Sequence, residues 1–182
     1  FVDFDLVLKN LLEGFDRLKI RYAALGAFGM GALGAPRVTG DLDFLVRKDD
    51  LPSLDLLMPS LGYKIILRNE NVTQYDGENV VWGHVDFLHA FRPLALRMLD
   101  DAVERPVFDG ARRLRVLRAE DIIAFKIQSL ANNTSRRDRD LADIDFMLEA
   151  LGQGLDWTKL EGYFSLFGEG EEFRKLQARR RP

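Results

Sequence analysis

The chain of 182 residues contains no cysteine, and that absence removes disulfides, thiolate metal sites and cysteine nucleophiles together. It suits a cytoplasmic protein. Long hydrophobic runs are missing too: no segment approaches the roughly 20 consecutive apolar residues needed to cross a bilayer, so no membrane span is expected. Charge of one sign is also scarce, and the net charge of -3 gives no general reason to expect nucleic-acid binding. The one local excess, Arg179-Arg180-Arg181, reads as a solvated tail. Internal repeats and low-complexity segments are absent. The chain opens at Phe1, with acids at Asp3 and Asp5 where a signal peptide would be basic, and reads as a trimmed or partial chain.

What remains is the composition of a soluble globular domain, 47% hydrophobic and 30% charged, long enough for one well-buried core or one core with a small appendage. Phe4, Val7, Leu8, Leu11, Leu12, Phe15 and Leu18 recur at spacings of three and four and predict an amphipathic helix over residues 4–18. A short strand at 20–25 leads into the glycine-spaced stretch 26–34, which reads as a tight turn into a short helix stopped by Pro36. A strand opening at Asp41, a helix from Asp49 to Ser60, a strand at 62–67, and two strands at 72–75 and 80–88 joined by an Asp76-Gly77 hairpin turn follow. A weaker strand is expected at 114–117, then helices at 120–131, 136–151, 157–163 and 170–177, with Ser135 and Asp138 resembling a capping box for the second of these. The fold class is therefore α+β: a small mixed β-sheet flanked by helices, with a helical C-terminal part.

The chemistry concentrates in Arg37-Val38-Thr39-Gly40-Asp41-Leu42-Asp43-Phe44. Alternate residues of a strand share a face, so Asp41 and Asp43 point one way while Leu42 and Phe44 point into the core. Two like charges side by side are sensible if a divalent metal sits between them; two solvated acids at a strand end are the plainer alternative. A third carboxylate, Asp86, interrupts the apolar run Val85-Asp86-Phe87-Leu88, where a charge is costly unless it is paired, metal-bound or at an exposed end. Three acids on two neighbouring strands are the ligand supply for a two-metal phosphoryl-transfer site. His84 shares a face with Asp86 and is either a further ligand or base or, more commonly, a hydrogen-bonded strand residue. His89 falls on the other face and receives no role.

Gly29-x-Gly31-x-x-Gly34 matches a dinucleotide fingerprint literally but fits it badly, because Pro36 cuts the following helix short and the next strand begins at Asp41. A glycine that ends a strand and opens a short helix can also present backbone N–H groups to a phosphate. Lys126 projects between Ile122 and Leu130 on the apolar face of its helix and needs an anion there. That anion is either a nucleotide triphosphate or a carboxylate such as Asp140. Arg136 with Asp140, and Arg139 with Asp143, have the i, i+4 spacing of surface ion pairs. Phe164, Phe167 and Phe173 are expected to cover the core.

Leu25-Gly26-Ala27, the short glycine-spaced helix, Arg37-x-Thr39-x-Asp41-x-Asp43 and Val85-Asp86-Phe87 together resemble the nucleotidyltransferase fold of the DNA polymerase beta superfamily. The similarity is nearest to the small bacterial proteins of abortive-infection and toxin–antitoxin type. It continues through Glu120 to Lys126 and Arg136 to Ile144, and so covers roughly residues 4–151. The resemblance implies a nucleotidyltransferase-like core over 1–118 and a helical extension over 119–182 packed on it. It implies two Mg2+ ions held by Asp41, Asp43 and Asp86, which would be catalytic. It also implies a nucleoside triphosphate contacted by Gly26, Ala27, Arg37, Thr39 and Lys126. A nucleoside monophosphate would pass to a hydroxyl of an RNA end such as tRNA, a protein or a small molecule. Ala27 stands where the family has glycine or serine. That leaves as a rival a catalytically weakened member acting as a partner-binding component of a toxin–antitoxin or defence pair.

Overall fold

A computed structural model describes residues 1–180. The chain divides into two compact units, Phe1–Arg118 and Ala119 onward. In the first, α1 (Phe4–Arg17), β1 (Tyr22–Leu25), α2 (Gly26–Ala32), β2 (Asp41–Arg47), α3 (Leu51–Ser60), β3 (Tyr63–Arg68), β4 (Val72–Gly77), β5 (His84–Ala90), α4 (Pro93–Asp100), β6 (Val103–Val107) and β7 (Arg112–Val116) follow one another. The second holds α5 (Ala119–Asn132), α6 (Arg137–Leu151), α7 (Trp157–Leu166) and α8 (Gly170–Ala178). No helix among the described residues is long and apolar enough to cross a membrane.

The seven strands form one mixed sheet in the order β3-β4-β5-β2-β1-β7-β6. β2 runs parallel to β5 and antiparallel to β1, and β4 runs antiparallel to β5. One face is the hydrophobic core. Tyr22, Phe44, Phe87 and Tyr75 point to it from four adjacent strands, and Phe15 of α1 meets Phe44 and Phe87 edge-on with ring centroids 5.5 and 6.1 Å apart. Phe44 stacks on Phe87 at 5.6 Å. Such offset and edge contacts add to the area these rings bury. The stripe Val7, Leu8, Leu11 and Phe15 seats α1 there, and Asp3 caps its start by accepting the Leu6 N–H.

A polar network crosses the same face. The buried His89 ring donates from Nδ1 to the Glu70 carbonyl at 2.8 Å, which leaves Nε2 to accept the Thr73 hydroxyl at 2.9 Å. Arg68 Nε in turn donates to that hydroxyl oxygen at 2.9 Å, Arg68 is paired with Asp55, and Tyr75 donates to Asp55 at 3.0 Å. A residue assigned no role from sequence thus ties β5 to β4.

Several expectations are corrected. Asp76-Gly77 is not a two-residue hairpin turn: β4 continues through Gly77, β5 begins only at His84, and residues 78–83 make the connection. Gly77 is required for packing, since a Cβ there would lie 2.2 Å from that of Trp82, whose ring rests on Tyr63. Nor does Ser135 cap α6; Asn133 accepts both the N–H and the hydroxyl of Ser135 in a short 3-10 turn that precedes Arg137. α4 and β6 were not foreseen: α4 is a short helix that opens on Pro93 at its first position, and Pro106 lies inside β6. In the helical unit Phe164 and Phe173 are buried against each other at 5.3 Å. Arg180, expected in a solvated tail, instead binds Asp145 and the Leu176 carbonyl; Arg181 lies outside the described residues.

Burial holds the His89 imidazole below its ordinary value of 6.5. As pH falls below that value the unfolded chain takes up the proton first, so stability is complete above it and lost below it. The urea midpoint of the parent should therefore drop between about pH 7.5 and about pH 5.5 by more than that of His89→Gln.

Candidate active site

The opposite face of the sheet carries the acids, and the strand register arranges them. Along β2, Leu42 and Phe44 are buried while Asp41 and Asp43 face the other way; along β5, Val85 and Phe87 are buried and His84 and Asp86 face outward with them. The parallel pairing sets Asp41 opposite His84 and Asp43 opposite Asp86. On the far side of β5, Asp76 pairs with His84 and Gln74 with Asp86. Two cross-strand rows result, Asp76-His84-Asp41 and Gln74-Asp86-Asp43, with neighbouring members about 4.8 Å apart at the backbone.

Asp86 is half-buried, and its carboxyl is perturbed. Burial pushes its carboxyl above the usual range, the Gln74 amide pulls it back, and the Asp41 carboxylate raises it again. Gln74 Nε2 donates to Asp86 Oδ2 at 2.9 Å. His84 places Nδ1 3.2 Å from Asp76 Oδ1 and is half-exposed, so it is a hydrogen-bonded strand residue here. Among the described residues no three His, Asp or Glu side chains stand grouped as a metal shell. The carboxylates supply only oxygen donors, from paired strands, and Asp41 disfavours the charge of Asp86, which is the donor chemistry a hard divalent cation takes.

At the end of β1, Leu25 pairs with Asp43 and the chain turns through Gly26 into α2. Gly26 has φ +63, the left-handed region, and a Cβ there would lie 1.9 Å from Asp43 Oδ2. Glycine is thus required twice, for the turn and for the Asp43 carboxylate lying against its bare Cα. Ala27 follows in the first turn of α2, whose N–H groups have no intrahelical acceptor. Arg37 is exposed in the irregular stretch before β2. Thr39 is used locally: its hydroxyl accepts the Asp41 N–H at 3.2 Å and donates to the Asp41 carbonyl at 3.1 Å. It shapes the start of the acidic strand.

Lys126 belongs to the helical unit. Its Nζ lies 2.8 Å from Asp143 Oδ2 and 3.5 Å from the fully buried Asp140. Ser129 donates to Asp140 at 2.6 Å. Of the two anions considered for Lys126, the carboxylate is present. Asp140 and Asp143 correspondingly do not form the surface pairs with Arg136 and Arg139 that their spacing suggested, because they sit on the buried face of α6 against α5. Sequence reasoning also passed over Gln74 and Asp76. The signal was the alternation of β4, in which the inward Thr73 and Tyr75 leave Gln74 and Asp76 on the acidic face.

A family model described as uncharacterised nucleotidyltransferase matches residues 6–164. No protein of curated function matches the chain in sequence. Among solved structures, the solution structure of the antibiotic-resistance factor ANT(2″)-Ia is 12% identical, with 97% of each chain covered and a TM-score of 0.65. The same factor in complex with adenylyl-2″-tobramycin is 14% identical over 89% of this chain and 95% of that one, at 0.64. The lincosamide antibiotic adenylyltransferase LnuA, lincomycin-bound, is 17% identical over 65% and 83%, at 0.52. These likenesses are likenesses of fold.

Two substitutions separate the roles described. Gly26→Ala should cost about 1–2 kcal/mol from the left-handed backbone alone and displace Asp43. Lys126→Met should cost about 3–5 kcal/mol in urea unfolding, because it takes the ammonium away from two buried carboxylates.

Proposed function

We propose that this chain, which belongs to the family of uncharacterised nucleotidyltransferases, transfers a nucleoside monophosphate from a nucleoside triphosphate to a hydroxyl acceptor with the help of Mg2+. One observation carries the reading: Asp43 lies in register with Asp86 on one side and against the bare Cα of Gly26 on the other. A triphosphate bound at the start of α2 would meet backbone N–H groups of Gly26 and Ala27, with Arg37 as a supporting cation. Asp41, Asp43 and Asp86 would hold two Mg2+ ions, which when bound supply neutralisation of phosphate charge and alignment of the reacting oxygens. The acceptor oxygen then bonds to the α-phosphorus as the bridge to the β-phosphate breaks, pyrophosphate leaves, and the acceptor proton passes to Asp86. A half-buried carboxylate whose proton affinity is raised by burial suits that last task. Lys126 would act on the triphosphate only by leaving Asp140 and Asp143, so its support of the fold is its primary role in this reading. Thr39 contributes through the Asp41 backbone.

The acceptor is open to several chemistries, and the structural likenesses suggest where to begin. Tobramycin and lincomycin represent the small polyhydroxylated acceptors of the two antibiotic-modifying proteins. A toxin–antitoxin or abortive-infection setting would instead supply tRNA or a protein. Ala27 favours, as a second reading, a weakened enzyme that binds a partner. Its N–H is retained, however, and the enzyme reading is favoured by Asp41, Asp43 and Asp86 sharing one face of two paired strands.

Incubation with α-labelled nucleoside triphosphates, Mg2+ and this panel of acceptors should label an acceptor in the parent. Asp43→Asn and Asp86→Asn should each reduce labelling by about a hundredfold or more, the equivalent of several kcal/mol of lost charge stabilisation. Asp86→Asn should meanwhile unfold no earlier than the parent, because it removes a half-buried charge. Equal labelling by parent and variants would sink the proposal.

A further inference from the structure

The second cross-strand row continues past the carboxylates of Asp43 and Asp86 to a neutral side chain. Gln74 sits on β4 directly opposite Asp86, and Asp43 sits on β2 on the other flank of the same residue. The Gln74 amide nitrogen donates to Oδ2 of Asp86 at 2.9 Å, and only the nitrogen end of an amide can face an ionised carboxylate. One carboxylate oxygen is thereby engaged from the β4 side, and Oδ1 is left for whatever approaches from β2.

The backbone behind Gln74 is held unusually firmly. Its two neighbours, Thr73 and Tyr75, are both fully buried on the core face. Thr73 is bonded to His89 and Arg68, and Tyr75 to Asp55. An amide on a strand pinned in this way is a fixed donor rather than a roaming surface group, which is what an outer-layer partner of a metal-binding carboxylate requires.

We infer that Gln74 is a positioning residue of the transfer reaction: its amide holds one oxygen of Asp86 so that the other is presented to the divalent cation and to the acceptor hydroxyl. The inference rests on the transfer reading above. It assigns Gln74 no contact with substrate; it acts through Asp86.

The test uses the full chain and Mn2+ alone, followed by electron paramagnetic resonance without nucleotide, so that its readout does not depend on turnover. Gln74→Met keeps the length and volume of the side chain and removes the donor. Mn2+ affinity should fall by about tenfold or more, with the thermal unfolding midpoint near that of the parent. In the labelling assay kcat should fall by a similar factor while KM for the triphosphate stays close to the parent value, a split that loosened packing alone would not produce. If Gln74→Met does not fold, Gln74→Asn serves, since it retains an amide one methylene too short to reach Asp86. Parental Mn2+ affinity in the variant overturns the inference even when the parent labels an acceptor. Weakened Mn2+ binding in the variant, with no acceptor labelled by the parent, leaves the inference standing and removes the transfer reading. A parent that takes up no Mn2+ overturns the inference whatever the labelling shows.

Discussion

The parallel register between β2 and β5 is the constraint on which the core unit depends. It pairs seven successive residues, from Asp41 with His84 to Arg47 with Ala90. Each pair shares a face, so Leu42 with Val85 and Phe44 with Phe87 enter the core while Asp43 with Asp86 stay on the other side. A slip of one residue on either strand would turn a carboxylate into the aromatic cluster and a phenylalanine out of it. The hydrophobic pattern and the acidic site therefore enforce one another: the apolar face specifies the register, and the register brings the acids together.

The two faces of the sheet carry two different electrostatic solutions. On the core face, His89, Thr73, Arg68, Asp55 and Tyr75 exchange hydrogen bonds until their polar groups are satisfied, and the network fastens β4 to β5. On the acidic face one carboxylate, Asp86, is disfavoured in its charged form. Asp86 is pushed towards its protonated form by burial and by Asp41, with Gln74 giving partial relief. The helical unit is satisfied only in part: among the described residues, Asp121 Oδ2 and Asp140 Oδ1 are buried without a hydrogen-bond partner. Its buried Asp140 and Asp143 are gathered around Lys126, and its buried Asp121 accepts from Tyr163 and pairs with Lys159.

Much of this was legible in the residues. The apolar stripe of α1, the Asp41-x-Asp43 strand, the charge at Asp86 inside an apolar run and the helices from Ala119 onward each follow from a periodicity that one chain segment carries by itself. The elements that escaped were those whose local pattern is overruled. Val80-Val81-Trp82 reads as strand, yet Trp82 folds back over Gly77 and the three residues form a connection. Arg136 with Asp140, and Arg139 with Asp143, read as surface pairs because i, i+4 spacing is local. The acids are taken by Lys126 and Ser129 instead, from a different helix.

By itself the sequence determined which residues could share a face: two carboxylates two apart on a strand, a third in a later strand, a lysine within an apolar helical stripe. Those are statements of period, and period is written in one segment at a time. Tertiary structure alone decided which faces meet. Asp86 stands between Asp43 and Gln74, and Gly26 is bare because an Asp43 oxygen occupies the place of its Cβ. Lys126 is matched to two particular carboxylates. Each of these depends on strand order, register or the packing of one element on another, and pairing between distant segments is specified by the joint burial of both partners rather than by either alone.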